Sequence, residues 1–222
     1  MRKILTTTII LLIIGIAKAE ISITAQYPDK ITFNGTEYNL NSNPLEPYFD
    51  KNPDKRPEMA STALWRGYVG HFEIIDNELY LTDMTRPAGY YEDENGKSKQ
   101  RWVSIYRMYF PRQEKVKIDW FSGILILPFG EMVEYVHQGY ASTYSNYWLL
   151  EIENGRFNEA REYEIEEFIE FKRRQFIEFR KTEEYKKLYA DMKEYDESND
   201  DEFIQQFIFD FVINYTSKFL AD

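Results

Sequence analysis

Apolar and polar residues alternate with a period of two in much of the segment from about 20 to 156, and this alternation predicts β-strands. Leu79 and Leu81 alternate with Tyr80 and Thr82, as expected of a strand with one buried face. Asn34-Gly35 separates the strand-like segments Ile31-Thr32-Phe33 and Thr36-Glu37-Tyr38, and this dipeptide favours the two-residue turn of a β-hairpin. Short strands separated by turn signals predict an antiparallel sheet, a sandwich or a partly open barrel.

The remaining strands and loops are predicted from the same pattern and from the turn residues between the apolar runs. The Pro-rich stretch 44–57 and the polar stretch 86–100 are predicted to be loops, the second of them mobile, because they concentrate Pro, Gly, Asn and Asp. Further strands are predicted at Trp65–Ile75, Leu79–Met84, Trp102–Phe110, Lys115–Phe121, Gly123–Leu127, Met132–His137 and Tyr147–Glu153.

After Phe157 the apolar residues follow a helical spacing instead. Tyr163, Ile165 and Phe168 begin a long amphipathic pattern among charged residues, and a second helical pattern follows a break near Thr182. Aromatic side chains then recur every four residues, which predicts a last helix buried on much of its circumference: Phe203, Phe207, Phe211, Tyr215 and Phe219. We therefore expect an α+β protein, with a β-rich domain at 20–156 and a helical region at about 158–221 (157–222 as a unit) packed on it.

The first 19 residues are predicted to be a cleaved signal peptide. Arg2 and Lys3 precede an apolar run from Ile4 to Ile16, and Ala17-Lys18-Ala19 supplies the small residues of a cleavage site before Glu20. An apolar run of this length falls short of the ~20 residues that cross a bilayer, so we expect no stable membrane insertion after cleavage between Ala19 and Glu20. The expected location is the bacterial periplasm or the exterior. The chain has no cysteine, which excludes both a lipid-anchored cysteine and a disulfide framework.

The charge of the chain bears on its partners. Removing residues 1–19 takes away three basic residues and no acidic one, so 27 basic and 38 acidic residues become 24 and 38, a net charge of −14. Such a surface repels phosphate backbones, so we expect no nucleic-acid partner. It is compatible with a basic protein or peptide partner, although solubility alone also accounts for it.

Candidate catalytic residues are few, because the chain has only two histidines, His71 and His137. His71 and Glu73 alternate along a predicted strand and would lie on one face, so with His137 they are the candidate ligands of a metal site. Asp119 is the candidate carboxylate for a triad with a histidine and Ser122 or Ser142, but neither serine lies in an activating motif. An envelope hydrolase or a metal-dependent enzyme is therefore the alternative interpretation, and no cofactor is expected.

Candidate binding residues lie mainly in the stretch from Tyr135 to Tyr144, where a predicted strand ends in a Gly-containing turn. Tyr140, Ser142 and Tyr144 are the candidates there, together with Arg66, because loop residues held on a rigid sheet often bind ligands. A tight β-corner with locally satisfied tyrosines is the structural alternative. The four tryptophans offer a glycan-binding alternative, although tryptophans in strands are more often part of a core: Trp65, Trp102, Trp120 and Trp148.

Several short motifs from about Ile21 to Gly155 occur in a recognisable order: Leu64-Trp65-Arg66-Gly67-Tyr68, Asp76-Asn77-Glu78-Leu79-Tyr80-Leu81, Trp120-Phe121-Ser122-Gly123, Pro128-Phe129-Gly130 and Tyr135-Val136-His137-Gln138-Gly139-Tyr140. This part of the chain resembles a bacterial exported-protein domain family with no established function. The resemblance leaves out the helical region and implies no catalytic or binding residue. From the export signal, the acidic balance and the lack of a convincing catalytic constellation, we predict an exported, non-enzymatic protein that binds a protein or peptide partner.

Overall fold

The computed structural model describes residues 24–196 and 199–222. The predicted signal peptide and its cleavage site at Ala19 and Glu20 lie outside the described residues. Among the helices of the described residues, none is long and apolar enough to cross a membrane.

The described residues contain nine strands and six α-helices. The strands are β1 (Asp29–Phe33), β2 (Thr36–Leu40), β3 (Val69–Ile75), β4 (Glu78–Glu92), β5 (Ser98–Ser104), β6 (Val116–Lys117), β7 (Gly123–Glu134), β8 (Thr143–Glu153) and β9 (Arg156–Glu164). The helices are α1 (Glu46–Lys51), α2 (Tyr106–Tyr109), α3 (Ile165–Phe179), α4 (Glu183–Tyr195), α5 (Asp201–Asp210) and α6 (Val212–Tyr215), with a 3-10 helix at Pro53–Lys55.

The nine strands form one open, mostly antiparallel sheet rather than a closed barrel. Its order is β2-β1-β3-β4-β9-β8-β7, and β5 and β6 pair with β4 beside this path. Only β1 and β3 run parallel, and β4 meets β9 at a single residue pair, Glu78 with Arg156. The predicted α+β fold is thus confirmed, with an antiparallel sheet followed by C-terminal helices.

Local turn chemistry explains the two hairpins predicted in the first half of the chain. Asn34 and Gly35 both have positive φ angles, 50° and 76°, and Phe33 pairs directly with Thr36. Asp76 and Asn77 adopt the same left-handed region between β3 and β4. Asn, Asp and Gly tolerate this region best, so these short sequences determine where the chain reverses.

The stretch 86–100, predicted to be a mobile loop, is instead a β-ribbon. β4 continues to Glu92 and β5 begins at Ser98, with a register shift between Pro87 and Tyr90 and a turn at 93–97 between the two strands. There the Asp93 carboxylate accepts hydrogen bonds from the backbone N–H groups of Asn95 and Lys97, both at 2.9 Å. The prediction of a loop was wrong because both faces of a projecting ribbon are solvated, so its strands carry the same polar residues as a loop.

Other boundaries also differ from the predictions. The Pro-rich stretch contains α1, the strand predicted at Trp102–Phe110 ends at Ser104 before α2, and the strand predicted at 115–121 shortens to β6. The helical region begins at Ile165 rather than about 158, because β9 pairs with β8 along its length. Arg156 pairs with Glu153 at one end, and Glu164 pairs with Asn146 at the other. Glu, Ala and Arg favour helix in isolation, but pairing with a neighbouring strand overrides that preference.

Two hydrophobic cores lie on opposite faces of β7 and β8. Leu125 and Leu150 belong to the core formed with β1 to β4, whereas Ile124 and Leu149 belong to the core formed with the helices. Successive side chains of a strand point to opposite faces, so one pair of strands contributes to both cores. This arrangement places the helical layer on the sheet.

The helices begin at identifiable caps. Glu164 and Glu167 form a capping box at α3, Thr182 Oγ1 accepts from the Tyr185 N–H at α4, and Asp200 accepts from the Phe203 N–H at α5. Each cap satisfies a backbone N–H that the first helical turn leaves free.

The aromatic row predicted to bury the last helix lies partly at the surface. Phe203 and Phe211 are 40% and 39% exposed, and the helix is split into α5 and α6. The buried stripe consists of Ile204, Ile208 and Val212, each 0% exposed. Burial is therefore narrower than predicted: two rows with the same four-residue spacing run side by side on this helix, and the fully buried one is the aliphatic row.

Candidate functional site

A buried ion pair lies beneath the stretch that the sequence singled out. Arg66, in the segment before β3, is 1% exposed, and Asp29, the first residue of β1, is 0% exposed. The Arg66 guanidinium donates to Asp29 Oδ1 at 3.0 Å, to the carbonyl oxygen of Tyr27 at 3.1 Å and to the Tyr140 hydroxyl. One side chain therefore links three segments that are distant in the sequence.

The Asp29 carboxylate is only partly satisfied. Its Oδ1 also accepts from the Gly70 N–H at 2.7 Å, whereas Oδ2 and the Arg66 Nε have no hydrogen-bond partner within the described residues. Burial raises the pKa of Asp29 to about 6, because the attraction of Arg66 and the Gly70 N–H only partly offset the loss of water. Burial alone would lower the pKa of Arg66, but Asp29 and the neighbouring tyrosines hold it above its ordinary value.

Tyr140 extends the network to the loop before α1. Its hydroxyl donates to Asn43 Oδ1 at 3.0 Å, and burial raises the pKa of Tyr140 to about 12, so the phenol is neutral at physiological pH. The Arg66 guanidinium carbon lies 5.9 Å from the centre of the Tyr140 ring. The aromatic ring and the hydroxyl thus both contribute to holding Arg66.

A second set of charges lies beside the first. Glu46 accepts from the Tyr68 hydroxyl at 2.7 Å and from Arg56 at 2.6 Å, and Arg56 also binds Asp50 at 2.8 Å. Burial raises the pKa of Tyr68, and the nearby Glu46 carboxylate adds to this effect. The two sets meet at Tyr68, whose ring centre lies 5.6 Å from the Arg66 guanidinium carbon.

The loop from Tyr135 to Ser142 is fixed by contacts at several points. The Ser142 hydroxyl accepts from the Val136 N–H at 3.0 Å, and the Gly139 carbonyl accepts from the Gln26 N–H at 2.9 Å. The Tyr135 hydroxyl lies 2.7 Å from His137 Nδ1. Together with the Tyr140–Arg66 contact, these bonds hold the loop against the start of the described chain.

The end of β7 projects beside this loop and is exposed on every side. We call residues Glu131 to Tyr135 the β7 strip; within it Met132, Val133 and Tyr135 are 51%, 59% and 61% exposed. Bulges interrupt the pairing with β8 on both sides of Met132, so the usual alternation of buried and exposed residues is lost.

A glycine begins this irregular stretch for steric reasons. Gly130 has a φ of +80°, and a Cβ atom at this position would lie 2.2 Å from Ser145 Oγ. Only glycine accommodates both the backbone angle and the close approach. The bulged course of the β7 strip is therefore encoded locally.

The predicted catalytic residues lie in separate environments. His71 Nε2 is 2.9 Å from Thr85 Oγ1, and burial lowers the pKa of His71 against the opposing effect of Asp83. His137 and Asp119 are both exposed. Residues 24–196 and 199–222 contain no group of three His, Asp or Glu side chains arranged to hold a metal ion. Ser122 Oγ accepts from the Asn154 N–H and Ser142 Oγ accepts from the Val136 N–H, so within the described residues both hydroxyls bond to the backbone rather than to a histidine.

The tryptophans do not form an exposed platform within the described residues. All four are half-buried. The Trp120 indole donates to the Pro44 carbonyl at 3.1 Å, Trp148 contacts the ring of Phe33, and Trp102 contacts the ring of Tyr27. Trp120 and Trp148 also pack against the core of the β-rich part.

The four predicted binding residues have different positions. Arg66 and Tyr140 are in direct contact, Ser142 stabilises the loop, and the Tyr144 N–H donates to the Tyr147 hydroxyl at 2.9 Å in β8. Asp29, which follows Pro28 at the start of β1, was not among the predicted site residues. An acidic residue at a strand start is common, so no local signal marks it as the partner of Arg66.

No protein-family model matches the chain, and neither a curated protein nor a solved structure is detectably similar to it. The resemblance to a bacterial exported-protein domain family therefore rests on the short motifs alone. Because that family has no established function, the site is interpreted from its own geometry.

Proposed function

We propose that this is an exported, non-enzymatic protein that binds a basic protein or peptide partner. The observation that carries the proposal is the exposed β7 strip beside a loop that the buried Arg66 network holds in place. A surface fixed before binding loses little conformational freedom when a partner docks. The net charge of −14 expected after cleavage favours a positively charged partner.

The environments of the predicted catalytic residues support binding rather than catalysis. His71 is half-buried against Thr85, whereas His137 is exposed and contacts Tyr135. A general base must reach the proton that it abstracts, and a metal site needs converging ligands. The candidate residues lie on separate elements with separate partners.

The test of binding starts from the envelope and the culture medium of the bacterium that produces the protein. Proteins retained on the purified, immobilised protein are eluted with salt, identified and then purified individually. We expect at least one of positive net charge to bind in purified form with defined stoichiometry, more weakly as ionic strength rises. Failure of every purified, positively charged candidate to bind would contradict the proposal.

The export part of the proposal has its own test. We expect cell fractionation to place the protein outside the cytoplasm and N-terminal sequencing to begin at Glu20. A cytoplasmic protein that still begins at Met1 would contradict it.

A further inference from the structure

We propose that the β7 strip, Glu131 to Tyr135, is the docking surface, and that it takes a cationic segment of the partner that also carries apolar side chains. This inference rests on the proposed function, because it locates the binding site and states the chemistry of its ligand.

The β7 strip groups exposed apolar side chains in one short stretch of the chain. Met132, Val133 and Tyr135 are each more than half exposed. Solvent-exposed apolar side chains grouped in this way are typical of interaction sites. Methionine and tyrosine are also enriched at protein interfaces, since one adapts its shape and the other adds a polar group to a large apolar ring.

The charge of the surrounding hairpin determines what can dock. Glu131 and Glu134 flank Met132 and Val133, Glu134 also precedes Tyr135, and both glutamates are exposed. No lysine or arginine occurs between Lys117 and Arg156, so the basic side chain that β7, β8 and the loop between them carry is the imidazole of His137. A cationic segment therefore meets mainly opposite charge on this hairpin, whereas an acidic segment would be repelled.

The strip is also held in a fixed position. Phe129 at its base contacts the ring of Tyr38 in β2 at a centroid distance of 5.7 Å, and Met132 pairs with Tyr144 in β8. On its other side the Tyr140–Arg66 contact fixes the loop that follows. The apolar and acidic side chains are consequently presented by a rigid backbone, which favours selective binding.

Binding is measured by fluorescence anisotropy with three labelled peptides of equal length. One alternates lysine with leucine, one alternates lysine with serine, and one alternates glutamate with leucine. We expect the lysine–leucine peptide to bind about tenfold more tightly than the lysine–serine peptide, and the glutamate–leucine peptide to show no binding. No binding of the lysine–leucine peptide to the unaltered protein would contradict both this inference and the binding of cationic partners.

Two variants test the site itself. Met132→Ser combined with Tyr135→Ser should weaken binding of the lysine–leucine peptide about tenfold and leave the affinity for the lysine–serine peptide unchanged. Glu131→Gln combined with Glu134→Gln should weaken binding of both lysine-containing peptides. The matched control, Glu94→Gln with Glu114→Gln, changes two exposed carboxylates on other loops by the same charge and should alter neither affinity by more than about twofold.

The outcomes separate the site from the general function. All the substitutions lie at exposed positions, and unchanged circular dichroism and urea midpoints would verify that each variant is folded. If the lysine–leucine peptide binds the unaltered protein but the strip variants and the control behave alike, the strip is not the docking surface. The proposed binding of cationic partners would then stand, with another site to be found.

Discussion

Replacing Asp29 with asparagine tests whether burial or ion pairing dominates the polar network. Asparagine keeps an oxygen that can accept from Gly70 and Arg66, and it places an NH₂ group where Oδ2 has no partner. The variant therefore removes the negative charge while it preserves the shape of the side chain. It also leaves the buried Arg66 without a counter-ion.

The expected magnitude follows from the pKa of Asp29, which burial raises from 3.8 to about 6. A raised pKa means that the folded state keeps its proton over a pH range in which the unfolded state has lost it. This contribution to stability is complete below pH 3.8 and is lost as the pH rises through about 6. The difference amounts to about 3 kcal/mol, at about 1.4 kcal/mol per pKa unit.

The difference between the free energy of unfolding of the unaltered protein and that of Asp29→Asn should therefore fall by about 2 kcal/mol between pH 4 and pH 7, since part of the full effect is already lost at pH 4. Protonated aspartic acid resembles asparagine, so the two proteins should be almost equally stable at pH 4 and the variant more stable at pH 7. Removing one partner of a buried ion pair ordinarily destabilises a protein, because the other charge is left uncompensated. A variant that is more stable at pH 7 would therefore show that the cost of burying the Asp29 carboxylate exceeds the attraction of Arg66.

Urea unfolding at intervals across this pH range measures the difference, with equal m-values as the check that both proteins unfold in the same way. Low protein concentration is needed near pH 5, because the isoelectric point is about 4.9. A difference that is independent of pH, or a variant less stable at pH 7, would refute the reasoning. Either result would mean that the attraction of Arg66 exceeds the cost of burying the Asp29 carboxylate.

Three further predictions concern packing, and each is measured by urea unfolding. Gly155→Ala should lower the free energy of unfolding by at least about 3 kcal/mol, because its φ is +78° and the new Cβ would lie 2.4 Å from a backbone oxygen. Gly96→Ala, with a φ of +70° but open space around it, should cost about 1–2 kcal/mol; equal costs would contradict the steric argument. Ile208→Ala should cost about 2–5 kcal/mol and Phe203→Gln about 1 kcal/mol, since Ile208 is fully buried and Phe203 is 40% exposed; the reverse order would show that the wrong face was identified. Gln175→Leu should cost about 2–4 kcal/mol, because its backbone partners lose their hydrogen bonds, and a neutral effect would mean that water replaces them.

The parts of the fold that depend on neighbouring residues could be predicted from the sequence. The Asn34-Gly35 hairpin follows from turn chemistry, and the break near Thr182 coincides with the cap of α4. β9 could not be predicted in the same way, since its Glu, Ala and Arg residues are held extended by pairing with β8. The period of an apolar pattern indicates an element, but long-range pairing decides between competing elements.

The candidate site was predictable only in part for the same reason. Arg66 and Tyr140 could be selected as polar residues in unusual local sequences, but they are 74 residues apart and nothing local indicates that they touch. The exposure of Met132 depends on the bulges on either side of it. Bulges change which face a side chain occupies, so a strand predicted by alternation gives no warning of them.

The buried Gln175 side chain has a consequence for how the helical layer forms. Its amide nitrogen donates to Thr216 Oγ1 and the Lys218 carbonyl, and its oxygen accepts from the N–H groups of Leu220 and Ala221. These partners lie 41 to 46 residues further along the chain, beyond α4, α5 and α6. An early-formed α3 would therefore carry an unpaired amide until the last described segment docks. The helices should accordingly open and close together, with hydrogen exchange in α3 and at Leu220 governed by one shared event rather than by fraying of each end.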